Sequence, residues 1–134
     1  MYWLVKSDPE TYGWPEFIKD KKTSWDGIRN YAARIHLKKM ERGDEVLFYH
    51  SNKDAGVVGL AKVTKEFYPD PTATEEGWVS VELQCIKPLK NQVPLSAIKA
   101  EKKLKDMHLI KISRLSVSPV TTEEFETVLK MGGE

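Results

Sequence analysis

Three strand-like runs that follow one another between Glu45 and Ile86 constrain the fold most. "EVLFYHSN" is apolar almost without a break, which requires cover on both faces of a strand. "NKDAG" turns the chain, and "VVGLAKVTKEFY" brings it back. Gly59 within that second run marks a bulge or a close approach of the backbone to another group. "YPDPTATEEG" is expected to be a turn-rich connection. "WVSVELQCI" then alternates. Val79, Val81, Leu83 and Cys85 are expected inward and Ser80, Glu82 and Gln84 outward, as in an antiparallel strand with one wet face.

Short helices and edge strands surround these runs. Tyr2 to Lys6 reads as a strand. Pro15 to Asp20 reads as a short helix with its proline in the first turn. Asn30 is placed to cap a helix over Tyr31 to Met40. On that helix Ala33, His36, Leu37 and Met40 share one side, and Tyr31, Arg34 and Lys38 the other. Gly43 is expected to stop it. Pro94 to Lys99 reads as another short helix, and "HLIKIS" and "LSVSP" as extended pieces. Thr121 and Glu124 form a capping box, with Val120 and Phe125 at staple positions. The sum is an α+β fold, a curved or barrel-like sheet with short peripheral helices, in one domain over residues 1–134.

Composition narrows the function. No apolar run approaches the roughly 18 residues of a membrane span. A strand begins at Tyr2, so no signal peptide is expected ahead of the fold, and the single Cys85 excludes an intrachain disulfide. Both point to a reducing, intracellular setting. A net charge of +1 argues against a basic coat and for a local patch. His36, His50 and His108 lack zinc-type spacing, and Cys85 reads as a small core residue, so no metal or cofactor is expected. No nucleophile elbow or glycine-rich phosphate loop is present. Lys6, followed by Ser7, Asp8, Glu10 and Thr11, is either a desolvated base or a surface lysine beside a turn.

The stretch "WDGIRNYAARIHLKKM" puts a large aromatic, Trp25, before a helix flanked by Arg29 and Arg34. One reading has Trp25 or Tyr31 stacking on a base while Arg29, Arg34 and Lys38 meet phosphates at the helix start. The other has the aromatics packing a satellite core and the arginines making surface ion pairs. His50 and Ser51 close an apolar strand, either at its rim or pointing into a cavity. Arg114, in "SRLSVSP", sits in an extended segment or at a rim.

The segments "YWLVKSDP", "WDGIRNYAARIHLKKMERGDEVLFYHSN", "GVVGLAKVTKEFYPDPTA" and "ISRLSVSPV" together resemble the EVE domain family, a PUA-like branch related to YTH domains. They run in family order over nearly the whole chain. The resemblance implies a PUA-like β pseudo-barrel with peripheral short helices and a non-catalytic pocket for a modified nucleobase in DNA or RNA. By position, Trp25 resembles one wall of an aromatic cage. Lys6 and Ser7 match a strand-end "KS", and family character carries over to Arg29, Asn30, Tyr31, His50, Ser51 and Arg114. Arg34 joins them as a candidate phosphate contact. Trp14, Trp78 and Tyr68 compete for a second wall. The chain lacks the basic amino-terminal extension of nuclear relatives, so a free-standing bacterial or archaeal cytoplasmic protein is expected. It is expected to be monomeric and off membranes, with protein partners of the same pathway also candidates. The alternative is an ASCH-like amidohydrolase acting on a modified nucleoside through Lys6, Thr11 and Glu10.

Overall fold

A computed structural model describes all residues from Met1 to Glu134. The strands are β1 (Tyr2–Ser7), β2 (Lys22–Trp25), β3 (Glu45–His50), β4 (Gly56–Pro69), β5 (Val79–Pro94) and β6 (Val117–Val120). They form one mixed sheet in the order β2-β5-β4-β3-β1-β6, with β1 parallel to β3 and the other pairs antiparallel. The helices are α1 (Pro9–Tyr12), α2 (Trp14–Asp20), α3 (Tyr31–Lys39), α4 (Leu95–Ala100), α5 (His108–Lys111) and α6 (Thr122–Met131). No helix is long and apolar enough to cross a membrane.

The sheet curls. Strands β2 and β3 are three positions apart, which in a flat sheet separates them by about 14 Å. Yet the rings of Trp25 on β2 and Phe48 on β3 have centroids 5.7 Å apart. Register shifts between β4 and β5 and at Phe48/Tyr49 supply bulges that bend the strands. All six strands contribute to one buried cluster inside the curl, including Trp3, Trp25, Phe48, Ala61, Val81 and Val117. A second cluster lies on the outer face. There Leu4, Leu47 and Leu60 meet Ile98, Met107, Leu109, Phe125 and Val128 from the α4–α6 region. Strands β1 and β3 feed both clusters, which is why "EVLFYHSN" is apolar on both faces.

Local signals explain most of the elements. Asn30 Oδ1 accepts from Ala33 N–H at 2.9 Å and starts α3, which buries Ala33 and Leu37. Thr121 and Glu124 satisfy each other's backbone N–H groups at 3.1 and 3.0 Å and start α6. Gly59 is a close approach, because a Cβ there would lie 2.3 Å from the Trp14 indole.

Four expectations need correction. "HLIKIS" is not extended, since His108–Lys111 makes a helical turn that sends Leu109 into the outer cluster. Four residues fit either period, and packing decided between them. Helix α1 was unexpected, although Asp8 caps it by accepting from Glu10 N–H at 2.9 Å and Pro9 suits the first turn. Strand β5 does not stop near Ile86 but continues through "KPLKNQVP" to Pro94, paired with Gly56 and Val57 across bulges. Ser80 is fully buried rather than solvated, opposite Tyr68 of β4.

Candidate nucleic-acid interface

Curling brings the end of β1 close to β2 and opens a cleft of about 460 Å³ between them. One side is Lys6, Ser7, Asp8 and Thr11, from the β1 end and α1. The other is Thr23, Ser24, Trp25, Asp26 and Ile28, from β2 and the loop beyond it, with Tyr12 between the sides.

Trp25 packs in the core, as one reading of the sequence has it, and it also borders the cleft. It lines the cleft but is only 7% exposed, and its ring meets Phe48 and Tyr12 edge-on, at 5.7 and 6.3 Å. It is a core side chain with one open side. Tyr12 is the second aromatic at the cleft. Burial, offset in part by a hydrogen bond with Thr23 and reinforced by the bond to Asp20, pushes its hydroxyl up to about 12.

Lys6 donates from Nζ to the Ser113 carbonyl at 2.6 Å. It sits 5.9 Å above the Tyr49 ring, and burial lowers its pKa. Arg114, next to Ser113, is exposed and does not line the cleft. Ser7 donates from Oγ to the Tyr12 carbonyl, while its own carbonyl accepts from Ser51 N–H at 2.9 Å and Ser51 Oγ at 3.3 Å. His50 Nε2 accepts from Trp14 N–H at 2.9 Å, and burial lowers its pKa. Ser51 therefore braces the ends of β1 and β3, His50 ties β3 to the start of α2, and neither lines the cleft. Glu10 does not line it either.

The other basic and aromatic residues gather beside the cleft. Arg29 Nη1 donates to Asp70 Oδ2 and to the Ile28 carbonyl, both at 2.9 Å, and its guanidinium lies 5.5 Å from Trp78. The same Asp70 oxygen accepts from Gly27 N–H at 2.8 Å. Arg34 Nη1 donates to the Gly77 carbonyl at 3.1 Å, and its guanidinium lies 4.9 Å from Tyr31 and 4.7 Å from Trp78. Asn30 is occupied as the α3 cap. Of the proposed second walls, Trp14 is buried beneath Gly59, Tyr68 bonds Ser24 through its hydroxyl at 2.6 Å, and Trp78 stands among the arginines.

Sequence reasoning missed Asp70. Its side chain is wholly buried. Burial alone would raise its pKa, but hydrogen bonds from Thr72 Oγ1, Arg29, Thr72 N–H and Gly27 N–H outweigh that and hold it at about 2. The available signal was Asp-Pro-Thr, whose Asp caps its own turn two residues on. No group of three His, Cys, Asp or Glu side chains is placed to hold a metal.

The relatives agree in extent and fold. Human thymocyte nuclear protein 1 is 37% identical over 97% of this chain and 73% of its own length. A Rhodopseudomonas palustris protein solved by NMR is 47% identical, with a TM-score of 0.93 over 98% of this chain and 92% of that one. Human THYN1, crystallised in complex with 5-methylcytosine containing DNA, is 35% identical, with a TM-score of 0.89 over 99% of this chain and 98% of that one. The EVE domain profile matches residues 1–131, and this chain belongs to the EVE domain family.

Proposed function

We propose that the protein is a non-catalytic reader that takes a modified nucleobase of a DNA or RNA strand into the cleft between Lys6 and Trp25. One observation carries this reading. An indole fixed by the core forms one wall of a preformed cleft whose other side holds a lysine and short polar side chains. A volume of about 460 Å³ lies in the range of small-molecule sites. An extruded base needs one aromatic face and a few groups that read its edge. Lys6 donates to a base carbonyl, and Asp8 or Asp26 accepts from an exocyclic amine such as cytosine N4. Ile28 offers apolar contact to a ring methyl group. Related human THYN1 binds DNA containing 5-methylcytosine, which supports the same base here.

The amidohydrolase alternative needs Lys6, Thr11 and Glu10 to converge on one substrate. Lys6 and Thr11 line the cleft, while Glu10 stands outside it, so the three do not converge there. The test is titration of the protein with single-stranded 9-mers carrying one central 5-methylcytosine, cytosine or thymine. The expected order is 5-methylcytosine, then cytosine, then thymine, with weaker binding of all three by Lys6→Gln. Equal affinity for the three, or hydrolysis of the 5-methylcytosine in the 9-mer to thymine with release of ammonia, would overturn the reading.

A further inference from the structure

Tyr31 is an anomaly for a residue in the first turn of a helix. Its ring is 68% exposed, yet it is held in place. Trp78 lies 5.3 Å away at an interplanar angle of 33°, and the Arg34 guanidinium sits within 5 Å of both rings (4.9 and 4.7 Å). Arg29 supports Trp78 from the Asp70 clamp. An ordered aromatic layer with an open surface is a stacking platform, and the arginines that order it are engaged with protein acceptors.

We infer that Tyr31 and Trp78 form a second base-stacking site, distinct from the cleft, for a flanking nucleotide of the strand whose modified base occupies the cleft. The inference rests on the proposed reading of the cleft. Two observations select a nucleotide as occupant. The platform combines aromatic and guanidinium planes, which take bases without regard to sequence. It is also tied rigidly to the cleft, because Asp70 Oδ2 holds both Gly27, next to the cleft residues Asp26 and Ile28, and Arg29. Trp25 and Tyr31 are six residues apart, so at most about 20 Å separates them along the chain. At 3.4 Å per nucleotide of a stacked strand, that is no more than about six nucleotides.

The contact is one of stacking rather than charge. Glu75 and Glu76 precede Gly77 in the loop that carries Trp78, and they disfavour a phosphate on that side. On this inference Arg29 and Arg34 serve to order the platform, where the sequence led to the expectation of phosphate contacts.

The experiment compares wild type, Tyr31→Ala and Tyr31→Phe on two probes, 5-methyl-2′-deoxycytidine monophosphate and a single-stranded 15-mer with one central 5-methylcytosine. Tyr31→Ala is expected to bind the 15-mer roughly five- to hundredfold more weakly, with an unchanged salt slope. It should bind the mononucleotide as wild type does, and Tyr31→Phe should match wild type on both. A folded Tyr31→Ala that binds the 15-mer normally removes the platform and leaves the cleft reading intact. An equal loss on both probes makes Tyr31 part of the cleft and also overturns the inference. Failure of wild type to bind either probe removes both.

Discussion

The cleft and the platform sit on either side of one loop, and they are held in opposite ways. The cleft wall is Trp25, nearly buried and locked against Phe48 and Tyr12. The platform is Tyr31, mostly exposed and ordered by Arg34 and a neighbouring indole. A surface built from the core cannot be altered without cost to folding, whereas one resting on the core can. On the proposed reading, recognition and stability are entangled at Trp25 and separable at Tyr31.

The contrast is tested most severely by truncation. Trp25→Ala should destabilise the protein by about 3–5 kcal/mol, the range for removing a large buried aromatic, read as a lower urea midpoint. Trp25→Phe should recover most of that loss and allow base binding to be measured separately. A fully stable Trp25→Ala would show that the wall is not a core element.

Asp70 joins the two regions and should come next. An unfolded aspartate titrates near 3.9, whereas Asp70 in the fold titrates at about 2. Between these values the unfolded chain binds more protons, so this contribution is complete above about pH 4 and fades as pH falls towards 2. Its size is about 2 kcal/mol. Asp70→Asn should lose that stability at neutral pH and flatten the acid limb of the stability profile. An unchanged limb would mean that the clamp is not formed in solution.

His50 should contribute less. Burial lowers its pKa, so protonation opposes folding and stability falls as pH drops below about 6.5. Losing its bond to Trp14 N–H costs about 1 kcal/mol. His50→Gln, which can keep an acceptor there, should remove this slope while retaining most of the stability. The smallest effect should be at Tyr31, where Tyr31→Ala is expected to stay within about 0.5 kcal/mol of wild type. A large loss there would merge the platform with the core and erase the distinction between the two regions.

How much of this was legible in the sequence depended on range. Asn30 and Thr121 announced their helices because a cap speaks to residues two or three positions away. Alternation fixed the inward faces of Val79, Val81 and Leu83. In "WDGIRN" the cap at Asn30 was legible, but the core position of Trp25 and the clamped turn at Gly27 and Arg29 were not. The clamp depends on Asp70, more than 40 residues away in sequence, and no local period reports such a partner. The same limit hid the burial of Ser80 and the extension of β5, which depend on neighbouring strands.

Gly59 ties the backbone of β4 to the wall of the cleft through a relay of rings. The Trp14 indole rests on its bare backbone, Phe48 lies 5.2 Å beyond Trp14, and Trp25 lies 5.7 Å beyond Phe48. A single methyl group added at Gly59 would displace the first ring of this relay, and the last ring is the wall of the cleft. The set of that wall thus rests on a backbone position that lies outside the lining of the cleft, two rings away from it.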